Sequence, residues 1–432
     1  MSRPGRGGGG GAGTMPVRSL GCIERGMLTA AFWHAGFRVG EILRVERAAG
    51  GPHVRGLLEA ALRCQQARQE MLRVRIRKGR GWGGALWPFI EADPELRVPI
   101  IESDSASSEE LWAQMCQRKL KDGDCMLAVG LIAEGDGTGS FELVVSMEHA
   151  FCDGVSHSHF CRDLLEDLAA LADGRPPSER APEVLPPTII ANTAGQLSDS
   201  WPVYLWTVLI SLVLSLGLRF GSMFPLGESM PVRDMHGRCH MAWHETELTA
   251  KETTALETAF RAKKVSLSAV IGAAVADAFA EQVQKAAQHS KPVMVSSSLS
   301  SDTRRLYKGS PSNSNLSCQS SIIRPTRLLA SGSADEDGLW ALAQQHRDNL
   351  KASFAAKFSL YVLRVTSFIF VLPLLFVAMQ SKNFISIWGQ SPIPPDLGGG
   401  WRVTRVVPLV NDQHMLEPAT MITIFDGRLV LR

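Results

Sequence analysis

Residues 140–147, SFELVVSM, set Phe141, Leu143, Val145 and Met147 against Glu142, Val144 and Ser146. That alternation is the mark of a half-buried or central β-strand. The strand delivers the chain to EHAFCDG, residues 148–154, after which the period changes. Phe160, Leu164, Leu168 and Leu171 recur at i, i+4, i+8 and i+11, which predicts an amphipathic helix over 155–172. A strand, a turn carrying His149, Asp153 and Gly154, and a packed helix therefore follow one another without interruption. A histidine held at a strand end beside such a turn suits a general base.

The rest of the chain repeats this mixture. Leu57, Leu58, Ala61, Leu62 and Cys64 share a helical face in 54–77, which turns strand-like at Leu72, Val74 and Ile76. Residues 107–120 form a further helix with Leu111, Met115 and Leu120 apolar. A proline-rich polar stretch, 174–189, reads as a linker. Beyond it come a strand at 239–248, a T-x-x-E capping box at Thr249 and Glu252, an alanine-rich helix at 266–285, a strand at 292–299, and a closing hairpin around Asp426-Gly427. The expected organisation is a glycine-rich disordered tail (1–16), a first lobe (17–173), a linker region (174–238) and a second lobe (239–432). A chain of 432 residues suits such a two-lobed unit.

Lys plus Arg total 45 against 43 Asp plus Glu, a net charge of +2 that gives no electrostatic case for nucleic acid. None of the eight cysteines forms a C-x-x-C pair, which argues against a disulfide framework and for a reducing compartment. The N-terminus has no apolar h-region of a secretory signal. Two runs, 200–218 and 365–381, carry no charges. The first is borderline for the roughly 20 residues of a spanning helix, and Pro373 breaks the second. A span at 200–218 would separate lobes that share one site. The readings left are a buried helix and insertion into one leaflet, hence a cytoplasmic protein peripheral on an intracellular membrane.

His149, Cys152, Asp153, His157 and His159 are all metal ligands by type. On a helix starting near Val155, His157 and His159 point roughly 200° apart. The spacing matches no zinc pattern, so no metal is assigned to this set.

His149-Ala-Phe-Cys-Asp153-Gly154 resembles the H-x-x-x-D-G motif of the CoA-dependent acyltransferase superfamily, which includes plant-type acyltransferases, peptide-synthetase condensation domains, wax ester synthases and alcohol acetyltransferases. SLGCIERGML (19–28), MLRVRI (71–76), KKVSLSAVIGAAVADAF (263–279), VMVSSSLSSDTRRLY (293–307) and KNFISIWG (382–389) are similar to other segments of that family, so the resemblance covers most of 17–432. Three departures stand out. Glu148 occupies the position where many relatives carry a second histidine, and SIWG (386–389) matches the late motif only in part. The chain ends at Leu431-Arg432 inside its last hairpin, where relatives continue into a final helix, so a truncated second lobe is expected.

The resemblance implies an α/β (α+β) fold of two chloramphenicol-acetyltransferase-like lobes, each a mixed sheet with packed helices, and an active-site tunnel between them. It implies His149 as the base that deprotonates an acceptor hydroxyl or amine for attack on an acyl-CoA thioester, with no covalent acyl-enzyme. Neither Cys152 nor Ser146 is then a nucleophile. Asp153 would pair with an arginine, Arg304 ahead of Arg305, and fix the loop with Gly154. Ser386, Trp388 or the Gly154 N–H would serve the oxyanion or line the tunnel. Asn315 reads as a turn residue. Arg261, Lys263 and Lys264 read as a solvated face, with the 3′-phosphate of CoA as the functional counterpart. No bound cofactor is expected, and acyl-CoA enters as co-substrate. The apolar runs favour a lipid-like acceptor or donor, O-acylation is favoured because no feature argues for a carrier-protein partner, and a monomer is expected. The competing readings are a non-catalytic member of the fold and a carrier-protein-dependent condensation enzyme.

Overall fold

The computed structural model describes residues 17–33, 36–47, 54–81, 86–103, 107–133, 139–193, 244–287, 293–323, 326–329, 335–357, 360–361, 383–411 and 419–432, with single positions at 202, 205, 206 and 209. The tail (1–16), residues 239–243, most of 200–218 and all of 365–381 lie outside the described residues.

In chain order the first part contains α1 (Cys22–Trp33), β1 (Arg38–Glu46), α2 (Val54–Arg68), β2 (Val74–Arg77), β3 (Phe89–Ala92), β4 (Ile100–Glu102), α3 (Ser108–Gln117), β5 (Asp124–Cys125), β6 (Leu127–Ala133), β7 (Phe141–Glu148), α4 (Gly154–Ala172) and α5 (Ile189–Thr193). The second part contains β8 (Thr246–Leu248), α6 (Ala250–Ala262), α7 (Leu267–Ala287), β9 (Val293–Asp302), β10 (Ser320–Ile323), β11 (Thr326–Leu329), α8 (Glu336–Ala355), β12 (Asn383–Gln390), β13 (Asp396–Gly398), β14 (Trp401–Asn411), β15 (Ala419–Phe425) and β16 (Arg428–Leu431).

The first lobe is a six-stranded mixed sheet in the order β13-β14-β1-β7-β6-β4, joined by a small sheet β3-β2-β5. The strand over 140–147 is β7, and it is central, paired antiparallel with β1 on one side and β6 on the other. Both of its faces are covered. Phe141, Leu143, Val145 and Met147 enter the large core with Phe160, Leu164 and Leu168 of α4 and with Leu58 and Leu62 of α2. Val144, on the other face, packs with Ile42 and with Leu111, Trp112 and Met115 of α3. This explains why the "polar" side of the alternation includes a valine: the strand is sandwiched rather than half-solvated.

The second lobe is a mixed sheet β10-β9-β12-β15-β16-β8, with β11 also paired to β9. Strand β12 runs parallel to both β9 and β15. Ile271 of α7 and Leu350 of α8 join Leu299, Ile385 and Ile422 in its core. Thr249 caps α6 with the reciprocal Glu252 bond that the sequence pattern specifies. Asp426 and Gly427, both at positive φ, close the final hairpin in the sense that matches strand twist.

Two features depart from the linear division of the sequence. Residues 396–411, assigned from sequence to the second lobe, belong to the first lobe's sheet, because β14 pairs with β1 from Arg38↔Asn411 to Glu46↔Arg402. The chain returns to give β1 the neighbour it lacks, and Val403, Val406 and Val410 thereby enter the first-lobe core. The proline-rich stretch is also no free tether. Glu183 bonds through its backbone to Arg68 and Glu70, and through its carboxylate to Ser312 and Asn315. It stitches one lobe to the other.

Candidate active site

Helix α4 begins at the lobe boundary. Asp153 is its N-cap: its carboxylate accepts the Ser156 N–H at 2.9 Å, and Ser156 Oγ accepts the Asp153 N–H at 3.1 Å. This is a capping box written D-G-V-S. Across the boundary the same carboxylate takes Arg304 Nη1 at 2.9 Å, Arg304 Nη2 at 3.3 Å and the Gln319 N–H at 2.7 Å. Arg304 is buried and also reaches Asp302 at 3.1 Å, whereas Arg305 faces solvent. Burial alone would raise the Asp153 carboxyl, but Arg304 and the N–H donors outweigh it and hold the group below its ordinary value. None of these bonds is directed at His149.

His149 stands at the end of β7, its N–H bonded to Phe37 O at 2.8 Å. Its Nδ1 lies 2.7 Å from the Cys152 carbonyl, so Nδ1 donates there, and Nε2 is the basic nitrogen when the ring is neutral. Phe37 stacks against the ring at 4.5 Å and a 36° tilt. The side chain is only partly buried, and Cys318 of the second lobe places Sγ 3.8 Å from Nδ1. Burial pushes the imidazole down, but the neighbouring Cys318 sulfur, hydrogen bonding and the Asp153 charge overcome this and bring it up to about 9.

Glu148, immediately before His149, faces Arg38 in the β1–β7 register and pairs with it at 2.9 Å. Both are buried, and burial pushes the Glu148 carboxyl up despite Arg38. Cys152 is fully buried with its thiol far above the ordinary range, because burial disfavours the thiolate. Ser146 is buried beside Arg38. Neither is presented as a nucleophile.

Gly154 does not adopt a positive φ. The turn is made by the Asp153 cap, and the glycine serves a different need. A Cβ there would stand 2.6 Å from the Trp388 ring. Trp388 Nε1 donates to Ser386 Oγ at 3.1 Å, and Ser300 Oγ lies 2.9 Å from the same oxygen. The indole N–H is thus already engaged, while the Ser386 hydroxyl proton remains available.

The other residues singled out in the sequence stand apart from this cluster. Asn315 donates to Glu183 and to Val184 O, joining the two lobes. Arg261 pairs with Glu257 and Lys263 lies over Trp340 on the outer face of the second lobe. Phe37, Cys318 and Gln319 are site residues that carried no local signal.

No family model matches the chain, and no curated protein matches it. Solved structures do. Polyketide synthase associated protein 5 from Mycobacterium tuberculosis is 14% identical, with a TM-score of 0.64 over 96% of this chain and 93% of that one. Trichothecene 15-O-acetyltransferase from Fusarium sporotrichioides is 14% identical, with a TM-score of 0.68 over 96% and 90%. A starter condensation domain of rhizomide synthetase in complex with C8-CoA is 14% identical, with a TM-score of 0.56 over 96% and 88%. The chain has the two-lobed fold of condensation domains and chloramphenicol-acetyltransferase-like acyltransferases.

Proposed function

We propose that the protein is an acyltransferase that moves an acyl group from an acyl-CoA thioester to a hydroxyl acceptor, with His149 as general base. The observation that supports this reading is the orientation of His149: Nδ1 is committed to the Cys152 carbonyl at 2.7 Å, so in the neutral ring, the form that predominates above about 9, Nε2 is the nitrogen that accepts a proton. The acceptor oxygen, deprotonated as it attacks, forms a tetrahedral intermediate on the thioester carbonyl. The Ser386 hydroxyl, oriented by Trp388 and Ser300, donates to the oxyanion. Collapse expels the CoA thiolate, which takes the proton held on Nε2. No acyl-enzyme is required, in keeping with the buried state of Cys152 and Ser146. The Asp153–Arg304 pair and Gly154 hold the loop that presents His149.

The acceptor we favour is a lipid-like alcohol. Phe37 gives His149 an apolar flank. Leu205, Trp206 and Leu209, inside the charge-free run 200–218, are each about half exposed, which supports peripheral contact with a membrane. Among the described residues no single helix is long and apolar enough to cross a bilayer. A panel of acyl-CoAs, assayed for thiol release with long-chain alcohols, diacylglycerol and matched amines, tests the reading. Release that depends on an alcohol supports it. Turnover only with carrier-bound donors or amine acceptors would replace it with the condensation reading, and no turnover by folded protein would favour a non-catalytic role.

A further inference from the structure

The sequence cluster after His149 does not gather around one point, but the fold brings a different set together. Glu41 of β1 and His157 and Cys161 of α4 meet where the helix packs on the sheet, their ligating atoms all within 4.8 Å of one another. His157 Nδ1 lies 3.7 Å from Glu41 Oε2 and 3.6 Å from Cys161 Sγ. All three residues are fully buried. Glu41 Oε1 accepts the Ser158 hydroxyl at 2.5 Å, while Glu41 Oε2 and His157 Nε2 have no hydrogen-bond partner.

The separation between carboxylate and imidazole is too long for a good hydrogen bond, and a buried carboxylate oxygen with no partner is costly. It is, however, close to what a shared metal needs. Ligand atoms on a tetrahedral zinc with bonds of about 2.0 Å to N and O and 2.3 Å to S stand roughly 3.3–3.6 Å apart. We propose that Glu41, His157 and Cys161 bind one zinc-class divalent cation that clamps α4 to β1. One oxygen, one imidazole nitrogen and one sulfur are a borderline-soft set that suits zinc over magnesium or calcium.

Charge closes as well. Binding releases the Cys161 proton to solvent as the sulfur–metal bond forms, so a dication meets a carboxylate, a thiolate and a neutral imidazole with no net charge left in the interior. Three protein ligands leave a fourth position for a water. With all three ligands buried, the ion would load as the lobe folds. The imidazole lies edge-on to Trp388, ring centroids 6.0 Å apart, so the clamp also steadies the ring that packs on Gly154.

Metal content tests this independently of any acyl-transfer assay. Full-length protein from zinc-supplemented cells, freed of loose metal by gel filtration, is expected to carry about one zinc per chain by elemental analysis. Its zinc K-edge absorption spectrum is expected to require one sulfur among nitrogen and oxygen neighbours. Cys161→Ser and Glu41→Gln should lose the metal. If those variants fail to fold, the stoichiometry and sulfur shell of the unmodified protein still decide. Metal-free folded protein would overturn the proposal, and so would zinc without a sulfur ligand or zinc retained in both folded variants.

Discussion

Asp153 and Arg304, 151 residues apart in the chain, meet at 2.9 Å across the lobe boundary, both almost fully buried. The pair couples the start of α4 to the end of β9. Whatever holds His149 in place in the first lobe is thereby tied to the second.

Asp153→Asn leaves Arg304 buried against a neutral amide. The expected loss is about 3–5 kcal/mol of stability, read from denaturant midpoints at neutral pH. The Asp153 carboxyl lies below its ordinary value in the fold. Its contribution is therefore present above the unfolded value of about 3.9 and is lost as pH falls through the lower folded value. The gap between wild type and variant should shrink in that acid range. A variant with wild-type stability and no activity would show that Asp153 acts chemically rather than structurally.

Cys318 is expected to set the pH dependence of the base. Its Sγ, 3.8 Å from Nδ1, supplies the main upward influences on His149, which reaches about 9 against the downward pull of burial. Removing them in Cys318→Ser lowers that value, so the ascending limb of log kcat/KM against pH should move to lower pH. At a fixed pH on that limb, the basic fraction rises about tenfold for every pH unit by which the limb moves down. An unmoved limb contradicts this, and lost activity with an acyl adduct on Cys318 in the wild type would make the thiol a nucleophile.

Gly154→Ala drives a methyl group into Trp388. Overpacking of this kind costs about 1–3 kcal/mol. Gly154→Ala combined with Trp388→Leu should recover most of that stability, because the clash is with the ring. Equal stability of the single and double variants in urea melts would place the strain elsewhere.

Glu148→Ala strands Arg38 in the sheet at an expected cost of about 3–5 kcal/mol, whereas the pair Arg38→Met with Glu148→Leu should recover most of it. Because the proposed chemistry uses neither residue, the double variant should retain thiol release. Its inactivity in a stable fold would give Glu148 a part in the reaction.

Local pattern was enough for the central features. The alternation from Phe141 to Met147, the stripe from Phe160 to Leu168 and the Thr249–Glu252 box each form the element they encode, because each pattern is set by residues close in sequence. The His149-Asp153-Gly154 loop stood out through its resemblance to a known motif, while the bonds that hold Asp153 to Arg304 and Gln319 come from the other lobe. What the sequence concealed depends on chain return. Strand β14 lies in the stretch that the linear division gives to the second lobe, and only its pairing with β1 in three dimensions claims it for the first. Cys318 reaches His149 from 169 positions away, and Glu41 reaches His157 from the opposite side of a sheet–helix interface. Gly154 shows a subtler limit: its presence in a turn was visible, but its reason, the Trp388 ring, was not.

The central claim is that His149 Nε2 is the base of an acyl transfer. The most direct measurement is acceptor-dependent thiol release from acyl-CoA by wild type and by His149→Ala, with folding of both checked by far-UV circular dichroism. The account predicts a loss of about 10²–10⁴-fold in kcat/KM for the variant, with stability little changed. Undiminished release by folded His149→Ala would contradict it.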